Sequence, residues 1–461
     1  MSLLESIRMS VRPSKDYVFD CISVSSEKID YIYNEALCST ASINQYILYR
    51  LLLLKKKELL SLENNIPNCN ILVVQQKDIL FYLNQGFVIL LYNKIYACEV
   101  RAHLDRGVSP IQSELSLCGA RDSLTENFQL NLGLIRKRIR DSHLKVKDFF
   151  IGKYSNTKVG ILYIDGIVKM DLVHHIEKNF NKIDIDGIMD SSYLKHSLET
   201  SFNIFPTIMM SERPDKCSMA LLEGKVVILV ANSPYALILP SLFFDYFHTT
   251  DDYYQKSFNT SFIRMIRLFA FLIAIFVPSL YISVTTRNYD IVPLSFLMVL
   301  KAGRSFVPFP AYLEAFLMIL CFEILKESDL RMSTTSGSAI SILGGLILGD
   351  AAVAAGIVSP IMIIVIAISS IAGLIFPSIE LANAIRTYKL LLLILSTFFG
   401  LYGVFLGLCL LLANLFSTEI FGYSYFGIDR WELQDSFFRV NSKVRYRNSF
   451  LTDNVNRGGW K

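Results

Sequence analysis

Between Leu268 and Phe426 only 15 of 159 residues carry a charge, whereas the other 302 residues of this 461-residue chain hold 71. A water-facing surface is built mostly from charged and polar side chains, so a segment this long and this poor in them cannot be the outside of a soluble domain. The positive mean hydropathy, +0.41, is therefore a local property of that segment. The chain divides into a water-soluble α/β N-terminal domain followed by an α-helical multi-pass membrane domain. The net charge of +4 is spread along the chain and gives no case for nucleic-acid binding.

The soluble part reads as two small α/β units with mixed sheets, residues 1–115 and 116–260. In the first, the spacing in IDYIYNEAL and INQYILYRLLLL predicts helix over 28–62. The segments ILVV (71–74), DILFYLNQ and FVILLYNKIYACEV then read as strand, helix and hairpin. In the second, GARDSLTENFQLNLGLIRKRIR predicts a helix opened at Asp122 or Ser123. It carries a basic stripe of Arg136, Lys137, Arg138 and Arg140, read as a solvated face or a contact to anionic lipid or a partner. KVGILYIDGIV is a buried strand ending in an Asp165-Gly166 turn. A helix over 171–179, a polar stretch, the strand FPTIMM, a helix stopped by Gly224 and the hairpin KVVILVANSPYALILP complete the unit. The N-terminus lacks the apolar core of a signal peptide, and the eight cysteines show no metal or disulfide spacing, which suits reduced thiols in a cytosolic domain.

The membrane domain spans 261–426, with apolar stretches near 266–285, 306–325, 338–357, 359–378 and 388–417, each about the length that crosses ~30 Å of hydrocarbon. Arg264 and Arg267 precede the first and form a cytoplasmic flank. Five spans would leave the C-terminus outside, yet the basic tail 427–461 favours the inside. Four or five spans are therefore expected, with one segment re-entrant within 291–325, where Pro308 and Pro310 break the chain. In SAISILGGLILGDAAVAAGIV, the residues Ser338, Ser341, Gly345, Gly349, Ala352 and Gly356 recur at intervals of three or four, a helix stripe that lets another helix approach closely. Asp350 lies one position off that stripe, and a carboxylate at mid-membrane needs water, a cation or a partner. Gly403 and Gly407 form a second, weaker pair. Glu314 and Glu323, nine residues apart, point to opposite faces of one helix; Glu380 stands at a helix end within reach of water.

No catalytic site is legible. The chain lacks a phosphate loop, an H-E-x-x-H and a G-x-S-x-G, the adjacent His174 and His175 point apart on a helix, and Asp165 belongs to a turn. No cofactor is implied.

Several ordered blocks resemble one family. GARDSLTENFQLNLGLIRKRIR, KVGILYIDGIV, SERPDKCSMALLEGKVVILVANSPYALILP, DDYYQKSFNTSFIRMIRLFAFLIAIFVPSLYISVTT, VPFPAYLEAFLMILCFEILKE, GDAAVAAGIVSP and FPSIELANAIR, over roughly 115–425, resemble the A subunit of the GerA family of spore germination receptors. The resemblance implies a multi-pass protein of the spore inner membrane with its N-terminal domain on the core side. It implies assembly with a transporter-like B subunit and a lipoprotein C subunit, and a part in ion release when a nutrient germinant appears. The striped helix with Asp350 then suits a homo-oligomeric channel in contact with membrane lipid. The stage V sporulation AF-type paralogue shares the same blocks. A secondary transporter is the alternative from another class; against it, the membrane segments show no internal repeat.

Overall fold

The computed structural model describes residues 3–24, 27–54, 71–100, 114, 119–199, 203–331, 345, 349–427, 445–446, 451–452 and 456–457. Strands β1 (Tyr17–Val24), β2 (Glu27–Asn34), β3 (Ile71–Val73), β4 (Phe87–Leu91) and β5 (Ile95–Glu99) form one sheet in the order β1-β2-β4-β5-β3. Every pair is antiparallel. The segment IDYIYN, expected to be helical, is strand β2. It lies inside the sheet with both faces covered, so Ile29 and Tyr31 pack on one side and Ile32 on the other. Apolar residues on both faces imitate helical spacing. The helix expected after it does form, over Thr40–Ser42, Ile43–Leu48 and Tyr49–Leu53, with a π-helical middle, and places Ile43, Ile47 and Leu51 on the first face. Helices α1 (Leu3–Val11) and α2 (Ile79–Leu83) cover the second.

A second five-stranded sheet follows: β6 (Leu144–Ile151), β7 (Thr157–Ile164), β8 (Met209–Ser211), β9 (Val226–Val230) and β10 (Ala236–Leu239), in the order β6-β7-β9-β10-β8. It too is antiparallel throughout. Both sheets thus place the first, second, fourth, fifth and third strands side by side, a topological duplication. Mixed sheets were expected because helices separate the strands. The crossovers instead deliver β3 and β8 to the far edge, beside the last strand of a hairpin and running against it.

Alternation along the strands makes the second sheet two-faced. Val226, Ile228, Val230, Leu237 and Leu239 meet helices α4 (Met170–Phe180) and α5 (Ser191–Leu198); Val227, Leu229, Ala236 and Ile238 meet α3 (Phe128–Arg138) and α6 (Pro214–Leu222). Helix α3 begins later than expected, with Asn127 accepting from the amides of Gln129 and Leu130. The polar stretch after α4 contains α5, capped by Asp190. The basic stripe is not one solvated face. Arg136 is buried and lies 2.5 Å from Asp16, and Arg138 reaches Asp122 through two hydrogen bonds of 2.6 and 2.7 Å. Arg136 thereby ties α3 to the first unit, with Lys145 donating to the Ser10 carbonyl and the Val146 amide to the Ser14 hydroxyl.

After a 3₁₀ turn at Phe243–Phe247 and a short helix at Asp251–Tyr254, a helical bundle begins. Its members are α7 (Ser257–Thr286), α8 (Leu294–Gly303), α9 (Ala311–Arg331), a helical segment at 349–354, α10 (Pro360–Leu374), α11 (Ile379–Phe399) and α12 (Leu401–Ser417). Among the described residues, α7 and α11 are long and apolar enough to cross a membrane, and α10 and α12 are shorter apolar helices. The apolar run 388–417 is not one helix. Gly400, at φ +62°, reverses the chain where the Asn288 carboxamide accepts from the Leu401 amide. Gly403 and Gly407 then lie so close to Leu395 and Leu392 that any Cβ would collide. The weaker glycine pair is therefore the one that packs within the chain.

The buried Arg136–Asp16 pair yields a prediction. Arg136→Leu alone strands the Asp16 carboxylate and should cost about 3–5 kcal/mol, whereas the double variant with Asp16→Leu should recover most of that loss. Thermal unfolding of the full chain reads both; equal losses in the single and double variants would contradict the pairing.

Candidate coupling interface

The second sheet and the bundle share one hydrophobic core. The face built from Val227, Leu229, Ala236 and Ile238 continues without a break into Phe271, Ala274, Phe376, Leu381, Tyr388, Leu392, Val404 and Leu415. Its centre is Phe243. The rings of Phe244, Phe247, Phe271 and Tyr425 lie at 5.3, 5.0, 5.6 and 6.1 Å from it, mostly edge-on, the geometry that aromatic quadrupoles favour. Phe247 reaches Phe376 at the turn between α10 and α11, at 5.6 Å. Phe205 stacks on Tyr388 of α11 at 5.2 Å. The bundle's last helix returns to this place: Ile420 of the hairpin β11 (Glu419–Ile420) and β12 (Tyr423–Ser424) packs on the opposite face of the sheet, and the Tyr425 carbonyl accepts from the Phe243 amide.

Charged clamps surround the aromatic centre. Asp252 is buried and accepts from both terminal nitrogens of Arg267, at 2.7 and 3.1 Å, and from Arg264 Nε at 3.3 Å. Arg267 also donates to the Phe247 carbonyl at 2.7 Å and to the Thr249 hydroxyl at 3.1 Å. The two arginines expected to flank the membrane on the cytoplasmic side are thus spent on the protein's own acid. A planar, two-pronged guanidinium fits a carboxylate in a way a lysine cannot. In a second clamp, Arg213 grips Asp215 at 3.0 and 2.7 Å while Tyr254, one turn before α7, donates to the same carboxylate at 3.0 Å. Burial pushes the Asp215 carboxyl up, but the Arg213 hydrogen bonds and charge, with Tyr254, outweigh it and hold the pKa below the ordinary carboxylate value. A third joins Lys195 of α5 to Glu380 in the first turn of α11. Glu380, expected to reach water, is largely covered by this contact.

The remaining predicted residues fall elsewhere. Glu314 is fully buried at the bundle end away from the sheets, accepting from Arg304 at 3.0 and 3.2 Å and from the amide and hydroxyl of Ser359, both at 3.0 Å. Glu323 pairs with Arg386 at 2.9 Å and lies 3.9 Å from Lys389. Among the described residues nothing lies within 4 Å of a Cβ at Gly345 or Gly349, Asp350 is exposed, and Ala352 is half-buried against the core around Ile282 and Met362. Gly356 stands beyond the helical segment at φ +65°, against the Phe306 carbonyl. Ser338 and Ser341 lie outside the described residues. The interface residues Asp252, Asp215, Phe243 and Phe247 carry no motif. Their only signal in the sequence is the density of aromatics in LFFDYF beside acids preceding an apolar run.

The Bacillus/Clostridium GerA spore germination protein family matches residues 5–449. The chain belongs to this family. Among its relatives, spore germination protein KA of Bacillus subtilis (strain 168) is 35% identical over 354 residues, covering 76% of this chain and 65% of that protein. Spore germination protein GerQA of Bacillus cereus is 29% identical over 464 residues, covering 98% and 93%. The crystal structure of the N-terminal domain of the A subunit of the Bacillus megaterium spore germinant receptor GerK3 is 26% identical, with a TM-score of 0.41, over 52% of this chain and 94% of that one. The GerA match takes in the second sheet, the clamps and the bundle together.

The Asp215 clamp sets a pH dependence. Because the folded pKa is depressed, its contribution is complete above the unfolded value, about 3.9, and is lost as the pH falls through the folded value. The thermal midpoint of Asp215→Asn should lie below that of the parent chain at pH 7, and the gap should close in acid; a gap constant down to acid pH would contradict the clamp.

Proposed function

We propose that this chain is an A-type subunit of a nutrient germinant receptor, that its bundle is a multi-pass domain of the spore inner membrane, and that copies line an ion path through the helix bearing Gly345, Gly349 and Asp350. The germination function follows from family membership; the rest is supported by how the chain uses its small residues. Gly403 and Gly407 are consumed by contacts within the chain, whereas among the described residues Gly345 and Gly349 meet no neighbouring atoms and Asp350 is exposed. Two small residues left uncovered at the Gly345–Gly349 part of the stripe suit a second helix, and the adjacent carboxylate suits a cation passing between copies.

The fold also supports the topology. Helices α7 and α11 leave the sheets, α10 and α12 run back towards them, and α12 ends at the hairpin on the second sheet. Such a bundle needs no net crossing, which supports both sheet units and the hairpin on one side, the core side in a spore, the side that the basic residues after 427 also favour. A transporter-like B subunit would bind the germinant and a lipoprotein C subunit would complete the receptor. The clamps and the shared core would carry movement between the sheet unit and the helices.

Potassium release from spores tests this reading. Spores carrying Gly349→Leu or Asp350→Ala, with the variant chain present at parental level, should release potassium on germinant addition no faster than spores lacking the chain. Normal release from both variants would overturn the path assignment.

A further inference from the structure

Helices α9, α10 and α11 enclose a polar cleft that the ion path does not use. Its lining carries three cations, Lys326, Arg386 and Lys389, against one acid, Glu323. Glu323 pairs with Arg386 and lies within 4 Å of Lys389, so one carboxylate answers three positive charges in an apolar bundle. An excess of charge in such surroundings is costly unless a counter-charge completes it. Two further atoms point to what is missing. Among the described residues, the Ser370 hydroxyl, on a residue 5% exposed, and Arg386 Nε are both buried without a hydrogen-bond partner. Arg386 Nε can only donate and the Ser370 hydroxyl can donate, so an acceptor fits between them, and the excess of cations favours an anion.

The position selects the anion. Ser369, beside Ser370, donates to the Ala274 carbonyl, seven residues beyond the Arg267 clamp, which puts the cleft roughly 10 Å from the clamp along α7 at 1.5 Å per residue. The cleft therefore opens in the leaflet on the sheet side, between helices whose outer faces are apolar: Phe316, Leu320 and Ile324 of α9 and Ile371 and Leu374 of α10 are exposed. Its cavity volume, about 20 Å³, is room for one water or one phosphate oxygen. We propose that this cleft binds the phosphate of an anionic phospholipid. One non-bridging oxygen enters between Ser370 and Arg386, Lys326 and Lys389 neutralise the charge, and the acyl chains lie along α9 and α10.

The proposal rests on the bundle being membrane-inserted, and the test separates the two. The full chain is placed in nanodiscs of phosphatidylcholine alone and of phosphatidylcholine with phosphatidylglycerol, then released into the gas phase for native mass spectrometry. Phosphatidylglycerol should be retained in preference to phosphatidylcholine. Lys326→Gln should lower that preference about fivefold, the effect expected of one cation at a lipid surface, and Ser370→Leu, which fills the cleft without changing charge or the Glu323 pair, should abolish it. Equal retention of the two lipids, or a preference unchanged in both variants, would overturn the site while leaving insertion intact. Loss of the bound lipid on adding inorganic phosphate would overturn the lipid in favour of the free anion. A chain that enters neither nanodisc would remove the membrane reading and the site with it.

Discussion

The carboxylate of Asp252 is held by two arginines of the first long helix, and the joint between the sheets and the bundle depends on that grip. Arg267 brings the start of α7 against the Phe247 carbonyl and Thr249, and so fixes the angle at which the helix leaves the second sheet. With that angle set, Phe271 of α7 meets Phe243 and Phe247, Phe376 closes from the other side, and the rings form a continuous core. Removing one member of a buried ion pair leaves an uncompensated charge worth about 3–5 kcal/mol, so this pair constrains more than a surface ion pair could. Helices anchored in this way move with the sheet unit instead of hanging from it on a linker.

Much of the fold was legible where one physical signal dominated. The charge-poor segment pointed to an apolar helical part, the alternation in FVILLYNKIYACEV pointed to β4 and β5, and Gly224 stopped a helix as expected. Where two signals overlapped, the reading failed. IDYIYN is buried on both faces and so lost the alternation that marks a strand. The run 388–417 is apolar but for Lys389 and a few neutral polar residues, and nothing in its hydropathy separates one long helix from two that reverse at Gly400. The antiparallel order of the sheets depends on which edge each crossover reaches, a long-range property with no local trace.

The polar residues divide in the same way. Arg264 and Arg267 stood out as basic residues before an apolar run, but their partner, Asp252, lies more than ten residues away in sequence and comes near only through the turn at 251–254. Glu314 and Glu323 stood out as acids in an apolar segment. That one meets Arg304 and Ser359 and the other Arg386 could not be read without the bundle. The glycines are instructive for the opposite reason. Both small-residue patterns look alike on paper, and only the structure separates the pair consumed at the α11–α12 contact from Gly345 and Gly349, which touch nothing among the described residues.

Gly345 and Gly349 carry the central claim, that copies of this chain meet through them in the membrane. Single cysteines at Gly349 and, as a comparison, at Leu392, oxidised in isolated spore membranes, test it most directly. Gly349→Cys should give disulfide-linked dimers absent from the parent chain, and Leu392→Cys, buried at the α11–α12 contact, should give none. Absence of cross-linking at Gly349, or equal cross-linking at both positions, would contradict the account.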